Sequence, residues 1–174
     1  TFPQRGMLEE DTFRKMASLL KTAPTSTQIR ILANELRKDL NPHPAEQQTL
    51  NVPMQKGRYL TGIQHKYPET VLFFPSQGQV CHSYCTFCFR WAQFIGDKHL
   101  RFAAKDVSDL KEYLLRNKGV TDVLITGGDP LVMSTANLKP YLEALMEPGL
   151  EHVRTIRVGT KALSYWPYRF VTDS

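Results

Sequence analysis

The sequence holds only three cysteines and two tryptophans, and it lacks any unbroken apolar run of the length that crosses a bilayer. A membrane-spanning helix needs about 18 or more consecutive apolar residues, so none is expected. The stretch from Thr1 to Leu20 is polar and in places acidic, without the apolar core of a signal peptide. Three cysteines leave one unpaired, which argues against a disulfide framework and, with no export segment, favours the cytoplasm. A basic run is missing as well: the net charge is +5, but Lys and Arg are scattered. That balance suits anionic ligands, while nucleic acid and membrane surfaces are not expected as partners.

What the chain does have is concentrated. All three cysteines fall in Cys81-His82-Ser83-Tyr84-Cys85-Thr86-Phe87-Cys88, at the spacing C-x3-C-x2-C. Clustered thiolates are the ligands of four-iron, four-sulfur centres, and three of them leave one iron open. An open coordination position is what separates a catalytic metal site from a structural one, because a small molecule can chelate there. The alternative is structural zinc, with His82 or His99 as fourth ligand, although zinc ligands normally come as two pairs. In that case the chain is a non-catalytic interaction module, and Tyr84, Phe87, Phe89 and Trp91 are a surface on which bases stack.

Hydrophobic residues make up 41% and charged residues 22%, as in a domain with a buried core. Leu8, Phe13, Met16, Leu19 and Leu20 recur at helical spacing, and after Ala23-Pro24 a second stripe runs Ile29, Leu32, Leu36, Leu40. Thr25, Ser26 or Thr27 caps the second helix, and Asn41-Pro42-His43-Pro44 ends it. Residues 45–70 show little periodicity and predict a long connection without a defined element, in which His43 and His65 are ordinary hydrogen-bonding histidines.

From Val71 the pattern changes. Val71-Leu72-Phe73-Phe74 is a short continuous apolar run, expected of a strand buried on both faces of a parallel sheet. Val107, Leu110, Leu114 and Leu115 give one helical face, with Asp106 near its start, and Thr121 to Thr126 gives a second strand. Leu138, Tyr141, Leu142, Leu145 and Met146 give a second helical face, where Pro140 is tolerable only in the first turn. Val153 to Val158 is the third strand. Strands alternating with helices mean βαβ crossovers and a parallel α/β sheet, and ligands bind at the carboxyl ends of such strands. The cysteine loop, Gly127-Gly128-Asp129-Pro130 and Gly159-Thr160-Lys161 therefore fall on one edge. Two glycines let the backbone approach a ligand closely, and Asp129 offers a carboxylate to an ammonium group.

The cysteine run resembles the cluster motif of the radical S-adenosylmethionine enzymes, C-x3-C-x-aromatic-C, with Phe87 at the aromatic position. A closer resemblance is to the lysine 2,3-aminomutase family. It is carried by His65 to Glu69 with the strand after it, by Tyr84 to Arg90, by Asp122 to Leu131 and by Thr155 to Lys161, together covering roughly Asn41 to Asp173. The resemblance implies a partial TIM-like (βα) barrel whose first three units are residues 71–174, preceded by a small helical region at 1–44 and the connection at 45–70. It implies a four-iron, four-sulfur cluster on Cys81, Cys85 and Cys88, and S-adenosylmethionine bound around Phe87, Gly127, Gly128 and Asp129, with Gly159 and Thr160 lining it.

The same resemblance implies an isomerase that moves an amino group between adjacent carbons of an amino acid by radical chemistry. Another amino acid, or a lysine on a protein, is the alternative substrate. Arg90 matches the residue that faces the substrate carboxylate, a bidentate task for a guanidinium, a surface ion pair being the alternative. A flavodoxin or ferredoxin is implied as reductant, and a homo-oligomer is left open. Phe89, Trp91 and Phe94 depart from the arginine-rich run of the lysine enzymes. Pyridoxal 5'-phosphate is implied too, its lysine belonging to later strands. Three strands cannot close a barrel, so the chain is expected to be the front part of a longer polypeptide.

Overall fold

The computed structural model describes residues 5–39, 46–82, 85, 88–94, 96 and 98–172. Two helices come first, α1 (Glu10–Leu20) and α2 (Ser26–Asp39), where apolar spacing predicts them. Thr25 closes a capping box before α2: its Oγ1 accepts from Gln28 N at 3.3 Å, and Gln28 Oε1 accepts from Thr25 N at 2.8 Å. Ala33 and Leu36 of α2 are buried, whereas no residue of α1 is. Leu40 and the predicted stop at 41–44 lie outside the described residues.

Residues 46–70 hold three strands where the sequence pattern predicts none. β1 (Met54–Gln55) and β2 (Arg58–Tyr59) form a hairpin around Lys56 and Gly57, with φ at 52° and 73°. β3 (Ile63–Tyr67) pairs antiparallel with β4 (Thr70–Phe73). The reason for the miss is physical. β1 and β2 are too short to show a period, and Gln64 in β3 is buried through a hydrogen bond to Gln47 O, which leaves no apolar alternation to read.

β5 (Asp122–Ile125) and β6 (Thr155–Val158) extend the sheet in the order β3-β4-β5-β6, with β4, β5 and β6 parallel. α3 (Ser108–Arg116) connects β4 to β5 and α4 (Thr135–Leu145) connects β5 to β6. The α/β class and the parallel strands thus match the sequence pattern. The bounds of all three differ slightly: the first parallel strand is Thr70–Phe73 rather than Val71–Phe74, the second Asp122–Ile125 rather than Thr121 to Thr126, and the last starts at Thr155 rather than Val153.

Val71, Phe73, Val123 and Ile125 point to one face, fully buried with Leu110 and Leu114 of α3 and Leu138, Tyr141 and Leu145 of α4. Leu72 and Leu124 lie on the other face and are only half-buried, so the expectation of strands buried on both faces fails: the helices cover one. Leu115, counted on the apolar face of α3, is exposed. Asp106 Oδ1 accepts from Ser108 N at 2.8 Å and Ser134 Oγ accepts from Asn137 N at 3.3 Å, which starts α3 and α4. Pro140 sits inside α4, beyond the first turn. Its ring is tolerated because Pro140 and Ala136, one turn earlier, are both exposed, so water takes over the Ala136 carbonyl.

After β4 the chain builds a second, smaller core. Phe74 packs edge-on against Phe102, with centroids 5.3 Å apart, and Val52 and Leu72 close the cluster. Ala104 N donates to Phe74 O and Ser76 N to Ala104 O, both at 2.8 Å, which pins residues 102–104 beside the end of β4.

Candidate active site

Three loops leave the same edge of the parallel sheet. Thr126 N donates to Phe73 O at 2.8 Å and Gly159 N to Ile125 O at 2.9 Å, so each strand delivers its following loop level with its neighbour's. The loop after β5 is stitched to the segment leading into the cysteines: Gly128 N donates to Gly78 O at 3.2 Å and Asp129 N to Val80 O at 2.8 Å.

That stitching explains both glycines. A Cβ on Gly128 would overlap the backbone of Val80, and a Cβ on Gly127, whose φ is +141°, would overlap the Gln79 amide. The close approach that the Gly-Gly pair permits is made first of all to the protein's own chain at residues 78–80.

Asp129 ties the three loops together. It is 1% exposed, and its Oδ1 accepts from Leu131 N at 2.9 Å and from Thr160 Oγ1 at 2.7 Å, while Oδ2 accepts from Lys161 N at 2.7 Å. His82 Nε2, in the cysteine loop, stands 3.6 Å from Oδ2. Thr160 passes the order on, its Oγ1 accepting from Ala162 N at 2.9 Å at the start of α5 (Ala162–Tyr165).

Cys81, Cys85 and Cys88 are half-buried and form no disulfide. Cys88 N donates to Cys85 O at 3.0 Å, a turn that brings these two close enough for their charges to interact. Burial pushes the Cys88 thiol up, and the neighbouring Cys85 adds to the shift. A metal ion binds such sulfurs by displacing their protons, and soft sulfur donors suit iron in clusters or zinc. No three His, Cys, Asp or Glu side chains among the described residues converge to metal-holding distance. The loop matches a cluster in the kind and sequence spacing of its donors, and in this structure the three are not drawn together. Phe87, expected against the adenine, lies outside the described residues.

Arg90 departs from the surface ion-pair alternative. Its guanidinium lies over the Phe74 ring at 4.5 Å and near the Phe89 ring at 5.1 Å, and Nη2 donates to Gln64 Oε1 at 2.9 Å. Burial lowers its pKa to about 10, against an opposing pull from Cys88, so it remains a cation at neutral pH. It lines a cavity of about 240 Å³ with Gln47, Gln64, Lys66, Leu72 and Phe89.

No protein-family model matches the chain. Among curated proteins, one from Aquifex aeolicus (strain VF5), provisionally named an L-lysine 2,3-aminomutase, is 42% identical over 112 residues, 64% of this chain and 28% of that protein. The L-lysine 2,3-aminomutase of Methanococcus maripaludis is 32% identical over 113 residues, 65% of this chain and 25% of its own length. The glutamate 2,3-aminomutase of Clostridioides difficile (strain 630) is 31% identical over 111 residues, 64% and 25% of the two chains. The chain is related to the lysine 2,3-aminomutases. It spans less than a third of the length of these aminomutases.

In this aminomutase relative, sequence motifs alone single out Asp129 and Thr160 but not the residues that hold the neighbouring groups in place. Gln79, buried against Gly127 and donating to Pro75 O at 3.0 Å, and Gln64, held between Gln47 O and Arg90, belong to no motif. The one available signal is chemical: glutamines with no apolar period around them, within reach of a glycine pair or an arginine.

Proposed function

We propose that this chain is the cluster- and nucleotide-binding part of a radical S-adenosylmethionine aminomutase, built as the first units of a TIM-like barrel. One observation supports the reading: Asp129 bonds to Val80, just before the first cysteine, and to Thr160 and Lys161 after β6, so the start of the cysteine loop, the Gly-Gly-Asp-Pro turn and Gly159-Thr160 meet at the carboxyl edge. Sequence relation to proteins named lysine and glutamate 2,3-aminomutase supports the reaction class.

In this reading Cys81, Cys85 and Cys88 hold a four-iron, four-sulfur cluster. When bound, that cluster and S-adenosylmethionine supply the one-electron cleavage that starts the radical reaction, and pyridoxal 5'-phosphate carries the migrating nitrogen. The chain's own residues bind and orient. Gly127 and Gly128 keep the edge narrow where the nucleotide's methionyl end binds, with Asp129 behind them and Phe87, Gly159 and Thr160 alongside. Gln79 Oε1, buried beside Gly127 and without a hydrogen-bond partner among the described residues, is an acceptor suited to that ligand's ammonium group.

Arg90 takes the carboxylate of an amino-acid substrate, lysine or glutamate by the names of the relatives. Phe74, packed on Phe102 and lying under the Arg90 guanidinium, excludes water on that side. A flavodoxin or ferredoxin is the expected electron donor, in the cytoplasm. No helix among the described residues is long and apolar enough to cross a membrane.

Electron paramagnetic resonance of the anaerobically reconstituted, reduced chain tests the reading. A reduced-cluster signal that changes on adding S-adenosylmethionine and disappears in Cys85→Ala is the expected result. Zinc in place of iron, on colourless protein, would overturn it in favour of a structural metal module.

A further inference from the structure

Arg90 is half-buried, and its Nη1 is buried without a hydrogen-bond partner among the described residues, although Nη2 is held by Gln64. The cavity it lines also contains an orphaned acceptor, Gln47 Oε1. No acidic side chain among the described residues lines that cavity, and Lys66 adds a second cation to it. Apart from the Cys88 thiol, whose charge would act on Arg90, the described lining leaves the anion to a ligand.

What fixes the open edge of the guanidinium is Gln64. Its side chain is 7% exposed and cannot turn over, because Nε2 donates to Gln47 O at 2.6 Å and so leaves Oε1 directed at Arg90 Nη2. Phe74 and Phe89 restrain the guanidinium plane, and the bond to Gln64 restrains rotation within that plane. With both freedoms removed, Nη1 is the donor left without a partner among the described residues.

We propose that Gln64 is a positioning residue for a carboxylate site in this cavity: anchored on the Gln47 carbonyl, it holds Arg90 so that Nη1 meets the carboxylate of a bound amino acid. The proposal rests on the reading of Arg90 given above, and it assigns Gln64 of β3, a residue outside every motif, a part in substrate recognition through Arg90. A carboxylate suits the site better than a phosphate monoester, because one guanidinium edge, already committed on its other nitrogen, presents few donors.

The test uses L-lysine and L-lysinamide as probes, identical except for the carboxylate. Binding to the 174-residue chain is followed by NMR of its arginine guanidinium nitrogens, with the Arg90 signal identified by its loss in Arg90→Gln. L-lysine is expected to shift that signal and bind at least tenfold more tightly than the amide. Gln64→Leu, which frees the guanidinium to rotate, is expected to weaken L-lysine binding about tenfold and erase the preference over the amide. The near-isosteric Gln64→Glu, which gives Arg90 a carboxylate of its own, is expected to abolish carboxylate-dependent binding while retaining the wild-type circular dichroism spectrum.

If Arg90→Gln removes the preference but both Gln64 variants bind like the wild type, the positioning role is wrong and the reading of Arg90 stands. If Arg90→Gln keeps the preference, or the unsubstituted chain shows none, both fail.

Discussion

Thr160 Oγ1 donates a 2.7 Å hydrogen bond to Asp129 Oδ1, joining the loops after two neighbouring strands across 31 positions of sequence. The carboxylate is buried and has two further donors, Leu131 N and Lys161 N. Removing it in Asp129→Ala strands three donors at once, and the expected loss is about 3 kcal/mol, at roughly 1 kcal/mol or more per unsatisfied buried group. Thr160→Val disturbs fewer bonds and should cost about 1–2 kcal/mol. Urea unfolding midpoints separate the two, and equal losses would mean that Asp129 is not the centre of the network.

The glycine pair gives a sharper contrast. Gly128→Ala places a methyl group into the Val80 backbone, which cannot move without breaking the bonds to Gly78 and Val80, so a loss of about 3 kcal/mol or more is expected. Gly119→Ala meets nothing within 4 Å and should stay within about 0.5 kcal/mol of the parent. Chemical denaturation of both variants checks the prediction, and a mild Gly128→Ala would show that the two segments separate freely.

Stability should fall in acid partly through Asp109. Its hydrogen bonds to Arg58 hold the carboxyl below its ordinary range, and Glu112 is held down in the same way by Lys56. A carboxyl lowered in the folded chain adds stability above its unfolded pKa of about 4 and loses it as pH drops through the folded value. Because the Arg58–Asp109 pair is substantially exposed, its contribution is small. Asp109→Asn should therefore lower the unfolding midpoint slightly at pH 7, and the difference should shrink below about pH 4. A difference undiminished in acid would assign the loss to something other than charge.

On α3, two adjacent leucines should behave differently. Leu114→Ala opens a hole in the core formed with Val71, Val123 and Leu110, and about 2–5 kcal/mol is expected. Leu115→Ala, on the exposed side, should cost under about 1 kcal/mol. Thermal unfolding of the pair reads the orientation of the helix directly, and comparable losses would contradict it.

The part of the fold legible in the sequence is the part that hydrophobicity specifies. Val71, Phe73, Val123 and Ile125 are continuous with apolar neighbours, and Leu110, Leu114, Leu138 and Leu145 recur at a helical period, so the parallel strands and their helices could be placed within one or two residues. β3 could not be read, because Gln64 and His65 are held by hydrogen bonds, Gln64 Nε2 donating to Gln47 O and Tyr113 Oη donating to His65 Nδ1 at 2.6 Å. The cysteine, glycine and aspartate positions were legible as motifs. What those motifs touch was not: that Gly128 seats Val80 and that Arg90 lies on Phe74 depend on contacts between distant segments, which no local pattern records.

The lead-in hairpin also sets an order of assembly. β3 and β4 meet across a two-residue turn at Pro68 and Glu69, whereas Thr70 must find Asp122 across 52 positions before the first parallel pair closes. Loop-closure entropy rises with the length enclosed, so the local pairing is expected to form early and the parallel ladder to be recruited onto it. In pulsed hydrogen exchange, amides of β3 and β4 should gain protection ahead of those of β5. Gln64, the anchor of Arg90 on β3, would then be in place before the Gly-Gly-Asp-Pro loop has a strand to leave from, making that side of the edge the older feature in the life of each molecule.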